Sequence, residues 1–187
     1  MKSKIYVNEI GYRPEDKKIA VCCTKESVTY RVLKEDKSVV AEGTANPGVY
    51  NPSTGEYEVK LDFSEVTESG MYVVEAAGEE SAPFYIGENA YDEVTKGLMR
   101  FFYLQRCGTE LPKELAGVFA HSVCHHTPAR IYGTEEFREV NGGWHDAGDY
   151  GRYITPAAVT IAHLLYAYEK YPTAFADSLN IPESGNG

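Results

Sequence analysis

The chain has 187 residues, 43% of them apolar, and carries 18 basic against 28 acidic side chains for a formal charge of −10. That apolar share supports a packed core in one large or two small domains and excludes a chain disordered throughout. The acidic balance argues against nucleic acid and an anionic membrane as partners, because both select clustered Lys and Arg.

No run approaches the ~20 apolar residues needed to span a bilayer. Met1, Lys2, Ser3 and Lys4 lead directly into strand-like Ile5, Tyr6 and Val7 without an apolar signal core, so the expectation is a cytoplasmic chain, or a secreted one if a signal has been removed. From residue 5 the chain reads as short strands at 5–8, 18–23, 27–33, 38–43, 56–63, 70–76 and 82–86. Tyr57, Val59, Leu61 and Phe63 alternate with Glu56, Glu58, Lys60 and Asp62, as a strand with one buried face requires, and Val28, Tyr30 and Val32 repeat the pattern. Regular short strands separated by turn residues, such as Asn46-Pro47-Gly48, predict an all-β immunoglobulin-like sandwich over residues 1–87. Cys22 and Cys23 are adjacent in a predicted strand, so they face opposite sides and cannot readily bridge each other.

After Gly87-Glu88-Asn89 the period changes from two to between three and four. Tyr91, Val94, Leu98, Phe101 and Phe102 predict a helix over 91–106 with an apolar face. A second helix is expected at 157–170, with Thr155 as N-cap, Pro156 at its first position and Tyr171-Pro172 as its stop. It is apolar around most of its circumference. Between the helices lies a loop-rich stretch, 107–153, of the length that usually carries function.

Within it runs Gly142-Gly143-Trp144-His145-Asp146-Ala147-Gly148-Asp149-Tyr150-Gly151-Arg152-Tyr153. Carboxylates three residues apart among glycines and aromatics suit the cleavage of a glycosidic bond, which needs paired carboxyl groups and aromatic faces to hold the ring. The tetrapeptide Asp-Ala-Gly-Asp alone reads equally as a turn or a calcium-binding loop. Two aspartates on one tight loop are too close to act as acid and base of an inverting pair, which stand ~6.5–9.5 Å apart, so Asp146 and Asp149 read as one shared side of the site. Gly142, Gly143 and Gly148 would let the backbone bend so that both carboxylates point one way.

The twelve residues resemble the signature loop of glycoside hydrolase family 9, the inverting β-glucanases. The resemblance extends from about Ile5 to Gly187, because such proteins often carry an immunoglobulin-like domain ahead of an (α/α)6 barrel. It implies an all-β domain at 1–87 and the all-α start of that barrel at 88–187. It implies hydrolysis of β-1,4 bonds in cellulose or cellodextrins, with Asp149 as general base and Asp146 helping to hold the attacking water. The family's proton donor is a glutamate near the barrel's C-terminal end, expected after Gly187, so that the 187 residues alone would be inactive. Otherwise Glu135, Glu136 and Glu139 are the nearest acids available. Tyr150 and Trp144 would line the cleft, with burial beneath the loop as the other reading of Trp144. The same family and domain order include exo-β-glucosaminidases acting on chitosan oligomers, and a non-catalytic carbohydrate-binding protein is the reading from another class.

Cys107, Cys124, His125 and His145 supply two thiolates and two imidazoles, a donor set able to close a tetrahedral zinc site. Their irregular spacing matches no zinc-finger pattern, and a Cys107–Cys124 disulfide or unrelated buried thiols fit it equally. The resemblance implies the zinc, because some bacterial members bind a structural zinc near this loop through matching positions, and it favours His125 over His126. Such a zinc would anchor the catalytic loop through His145 without taking part in the chemistry. Calcium in the whole protein is a further expectation. His121 and His163 read as ordinary histidines.

Overall fold

The computed structural model describes residues 5–175 and 179–185, so the lead-in at Met1 to Lys4 lies outside it. The chain divides into two compact units, Met1–Val94 and Thr95–Gly187. The first is built from β1 (Ile5–Tyr6), β2 (Ile19–Cys23), β3 (Val28–Lys34), β4 (Val39–Ala45), β5 (Val49–Asn51), β6 (Glu56–Asp62), β7 (Gly70–Ala76), β8 (Glu79–Glu80) and β9 (Phe84–Ile86). They form two antiparallel sheets, one in the order β1-β2-β6-β5 and the other β4-β3-β7-β8, with β9 also on β7.

Alternation decides what each sheet buries. In β6, Val59 and Leu61 turn inward while Lys60 and Asp62 face out, and β7 does the same with Tyr72, Val74 and Ala76. Tyr57, at the start of β6, stays at the open end of the sandwich, where its ring meets that of Tyr50. At the centre of the core, Tyr12 meets Phe63 and Phe84 edge-on at 5.5 and 5.4 Å. The buried ammonium of Lys18 donates to the carbonyls of Pro14 and Asp16 at 2.5 and 2.8 Å, which offsets its desolvation. β5 and β8 were not expected. They are two or three residues long, too short for a period to show, and pairing with β6 and β7 makes them strands. Cys22 is buried and Cys23 half-exposed on the opposite face, and all four cysteines are free thiols.

The helix α1 (Asp92–Leu104) begins at the end of the first unit and runs into the second, which also contains α2 (Lys113–Ala116), a 3-10 turn at Gly117–Phe119, the small hairpin β10 (Ala129–Arg130) and β11 (Phe137–Arg138), α3 (Ile154–Lys170), and a 3-10 turn at Pro172–Ala174. Its core is small: Tyr103, Leu111 and Ala116, with Leu104, Leu115 and Ile181 against them. The apolar face expected on α1 is only partly used. Leu98 and Phe101 remain exposed, and the helix buries Tyr103 instead, because the chain after Cys107 folds back on that side. α3 has no fully buried residue, with Ile154, Leu165 and Tyr166 exposed.

The predicted start of α3 needs correction. Its N-cap is Tyr153, which makes no side-chain cap bond, and Ile154 opens the helix. Thr155 is therefore inside the helix and Pro156 is its third residue. A proline there loses nothing, since no amide of the first turn has an intrahelical partner. No helix among the described residues is long and apolar enough to cross a membrane.

Candidate active site and metal centre

The signature loop is stitched to the end of α1. Gly142 and Gly143 take positive φ, 91° and 82°, a conformation that L side chains rarely adopt, and this turns the chain alongside residues 105–107. There the amide of Cys107 donates to Gly143 O and that of His145 to Gln105 O, both at 2.9 Å, around a short antiparallel bridge between Arg106 and Trp144. Gly148 does not share this geometry. Its φ is not positive and nothing crowds its Cβ position, so the expected bend belongs to Gly142 and Gly143. The Trp144 indole donates from Nε1 to Phe102 O at 2.7 Å and packs edge-on against the Phe102 ring. Trp144 is thus half-buried under the loop and pins it to α1.

A second segment arrives through paired hydrogen bonds between Leu111 and His121. It brings Cys124 and His125, the latter with a left-handed φ of 52°. The Arg152 guanidinium donates to the carbonyls of His125 and Thr127, tying the segment to the loop. The result is one cluster, with the donor atoms of Cys107, Cys124, His125 and His145 all within 4.8 Å of one another. Cys124 Sγ lies 3.5 Å from His145 Nε2, and the two imidazole rings meet edge-on at 4.9 Å.

Two of the donors carry shifted pKa values. Burial, with the neighbouring Cys124, pushes the Cys107 thiol above its ordinary pKa, which favours the protonated thiol over the thiolate that a metal binds. Burial, with His125 and His121 nearby, lowers the pKa of His145 and favours the neutral imidazole that a metal requires. His125 Nδ1 is buried without a hydrogen-bond partner, although buried ring nitrogens are ordinarily paired. His126 is exposed and outside the cluster.

Both aspartates are exposed. Asp149 accepts a 2.6 Å hydrogen bond at Oδ2 from the Tyr153 hydroxyl, and its carbonyl lies 3.4 Å from His125 Nε2. Tyr150 is 83% exposed, with its ring 4.8 Å from that of His125. A cleft of about 280 Å³ is walled by Trp144, Arg152, Tyr153, Ala157 and Ile161, and neither aspartate lines it. The sequence reading missed Tyr153 and Arg152 as site residues. The four-residue step from Asp149 to Tyr153 was visible, but only the loop's path makes it a contact.

Residues 1–81 match the cellulase N-terminal ig-like domain and residues 91–184 match glycosyl hydrolase family 9. A cellodextrinase of Butyrivibrio fibrisolvens is 38% identical over 96% of this chain and 35% of its own length. Endoglucanase D of Acetivibrio thermocellus is 35% identical over 98% of this chain and 30% of its own. Among solved structures, AaCel9A in complex with a cellobiose-like isofagomine superposes with a TM-score of 0.84 at 34% identity, over 95% of this chain and 32% of that one. A zinc-binding triple mutant of a family 9 endoglucanase gives 0.74 at 34% identity, over 86% and 31%. The chain thus spans about a third of the length of these relatives. With its sandwich followed by the opening helices of the family's barrel, the chain belongs to glycosyl hydrolase family 9.

Proposed function

We propose that the protein carrying this chain hydrolyses β-1,4-glucosidic bonds in cellodextrins or cellulose with inversion at the anomeric carbon. The observation that carries the reading is the complete twelve-residue loop, held by paired hydrogen bonds, in a chain that matches the family from residue 91 to 184. The relatives named as cellodextrinase and endoglucanase, and the neighbour bound to a cellobiose-like ligand, support the substrate class.

In this reading a water attacks the anomeric carbon from the face opposite the leaving oxygen. Asp149 takes its proton, and Asp146 helps to hold it. The glycosidic C–O bond breaks as a glutamate, supplied by sequence after Gly187, protonates the leaving oxygen. Tyr150 offers an exposed ring to the sugar, whereas Trp144 is committed to Phe102 and supports the loop from below. Cys107, Cys124, His125 and His145 would hold a structural zinc, with the unpaired Nδ1 of His125 as one donor. A zinc with four protein ligands has no open position, so its chemistry is to close the fold around the loop.

The test compares this chain, and a form extended through the rest of its reading frame, on cellotetraose, with product anomers followed by proton NMR. Release of the α-anomer by the extended form, reduced about 10²–10⁴-fold by Asp149→Asn, is the expected result. Turnover with β-anomer release would sink the inverting reading. Activity on chitosan oligomers alone would move the substrate to glucosaminides.

A further inference from the structure

We propose that Tyr153 is a positioning residue for Asp149, and that Gly151 is glycine so that the Tyr153 ring can lie across it and reach the carboxylate. The inference rests on the reading of Asp149 as the base.

Asp149 stands on an exposed loop, and a Cβ added at the preceding Gly148 would meet no atom within 4 Å. Among the described residues, the side chain that bonds its carboxylate is Tyr153, whose hydroxyl donates to Oδ2 at 2.6 Å. Tyr153 is the N-cap of α3, so the donor is carried by the start of a seventeen-residue helix rather than by the loop. A site held from a rigid element is more precise than one left to a loop. The bond occupies Oδ2 and leaves Oδ1 for a water.

A second observation reaches the same arrangement independently. A Cβ built on Gly151 would stand 2.4 Å from two carbons of the Tyr153 ring and 2.5 Å from its hydroxyl oxygen. The φ of Gly151 is not positive, so conformation does not require glycine there; the ring does. Any side chain at 151 displaces the ring, and displacing the ring breaks its bond to Asp149. Arg152, between the two, donates from its guanidinium to the carbonyls of His125 and Thr127, which ties this stretch to the segment carrying Cys124 and His125.

The experiment uses the protein expressed from its whole reading frame, with Asp149→Asn, Tyr153→Phe, Gly151→Ala and the double Gly151→Ala/Tyr153→Phe variant. Each is assayed for kcat and KM on cellotetraose, zinc content and far-UV circular dichroism. Tyr153→Phe is expected to lower kcat roughly tenfold to a hundredfold with KM, zinc content and dichroism unchanged, the loss of one hydrogen bond to a charged group. Gly151→Ala is expected to do the same while keeping the hydroxyl, and the double variant to be no worse than either single one. A kcat within twofold of the parent for Tyr153→Phe, with Asp149→Asn inactive, overturns the inference and leaves the base assignment standing. Multiplying effects in the double variant also overturn it, because Gly151 would then act otherwise than through Tyr153. An active Asp149→Asn overturns the base assignment, and the role of Tyr153 falls with it.

Discussion

At the scale of single residues, the four-donor cluster depends on one unusual backbone conformation. Cys124 and His125 are neighbours, and adjacent side chains diverge in an extended chain; the left-handed φ of 52° at His125 lets both reach one point. Asparagine tolerates that conformation better than most residues but carries no imidazole. His125→Asn is therefore expected to lower zinc content well below one equivalent, whereas the exposed His126→Ala retains it, as read by inductively coupled plasma mass spectrometry. Residue type marked the cysteines, histidines and both aspartates as candidates, but the grouping of Cys107, Cys124, His125 and His145 and the roles of Asp146 and Asp149 came from the family resemblance, since the donors' spacing matches no zinc-finger pattern. The choice of His125 over His126 rested on it too, since a sequence shows that two histidines are adjacent but not which one the chain turns inward. Tyr153 was illegible for a related reason: an aromatic four residues beyond an aspartate is ordinary until the loop's path brings hydroxyl and carboxylate together.

At the scale of elements, β6 and β7 could be read because alternation of period two records a sheet face directly. β5 and β8 could not, because they owe their existence to partners distant in sequence. The centre of the sandwich gives the largest expected effect. Phe63 is fully buried between Tyr12 and Phe84, so Phe63→Ala is expected to cost about 3–5 kcal/mol in denaturant unfolding. The end of α1 gives a small one. Arg106, two residues past the helix, pairs with Glu183 at 2.7 Å and holds that carboxyl below its ordinary pKa of 4.5. A depressed carboxyl stabilises above the unfolded value and loses that contribution as pH falls through the folded one. With the Glu183 side chain 50% exposed, solvent screening limits the pair to about 0.5 kcal/mol. Glu183→Gln is expected to cost no more than that at pH 7 and progressively less as pH falls through the folded carboxyl's own pKa, with an NMR titration of the Glu183 carboxyl centred below 4.5 as the check.

At the scale of the whole molecule, the two units differ in what holds them together. Among the described residues, sixteen buried ones form the sandwich core against three in the core of the second unit, where the four-donor cluster joins segments that the small core does not. Chelation is therefore expected to lower or abolish the melting transition of the second unit while that of the sandwich stays within about one degree, as followed by calorimetry with and without a chelator. The sequence made this division legible through the change of period near residue 90. It did not show how little of α1 and α3 is buried among the described residues. The order of these parts along the chain also has a consequence for synthesis. The last strand of the sandwich ends at Ile86 and the first metal donor is Cys107, 21 positions later (107 − 86). Since domains fold as units as they leave the ribosome, N-terminal first, the sandwich can complete its core before the last donor, His145, has emerged. Shortage of metal during growth would then trap nascent chains with a finished first unit and an open second one.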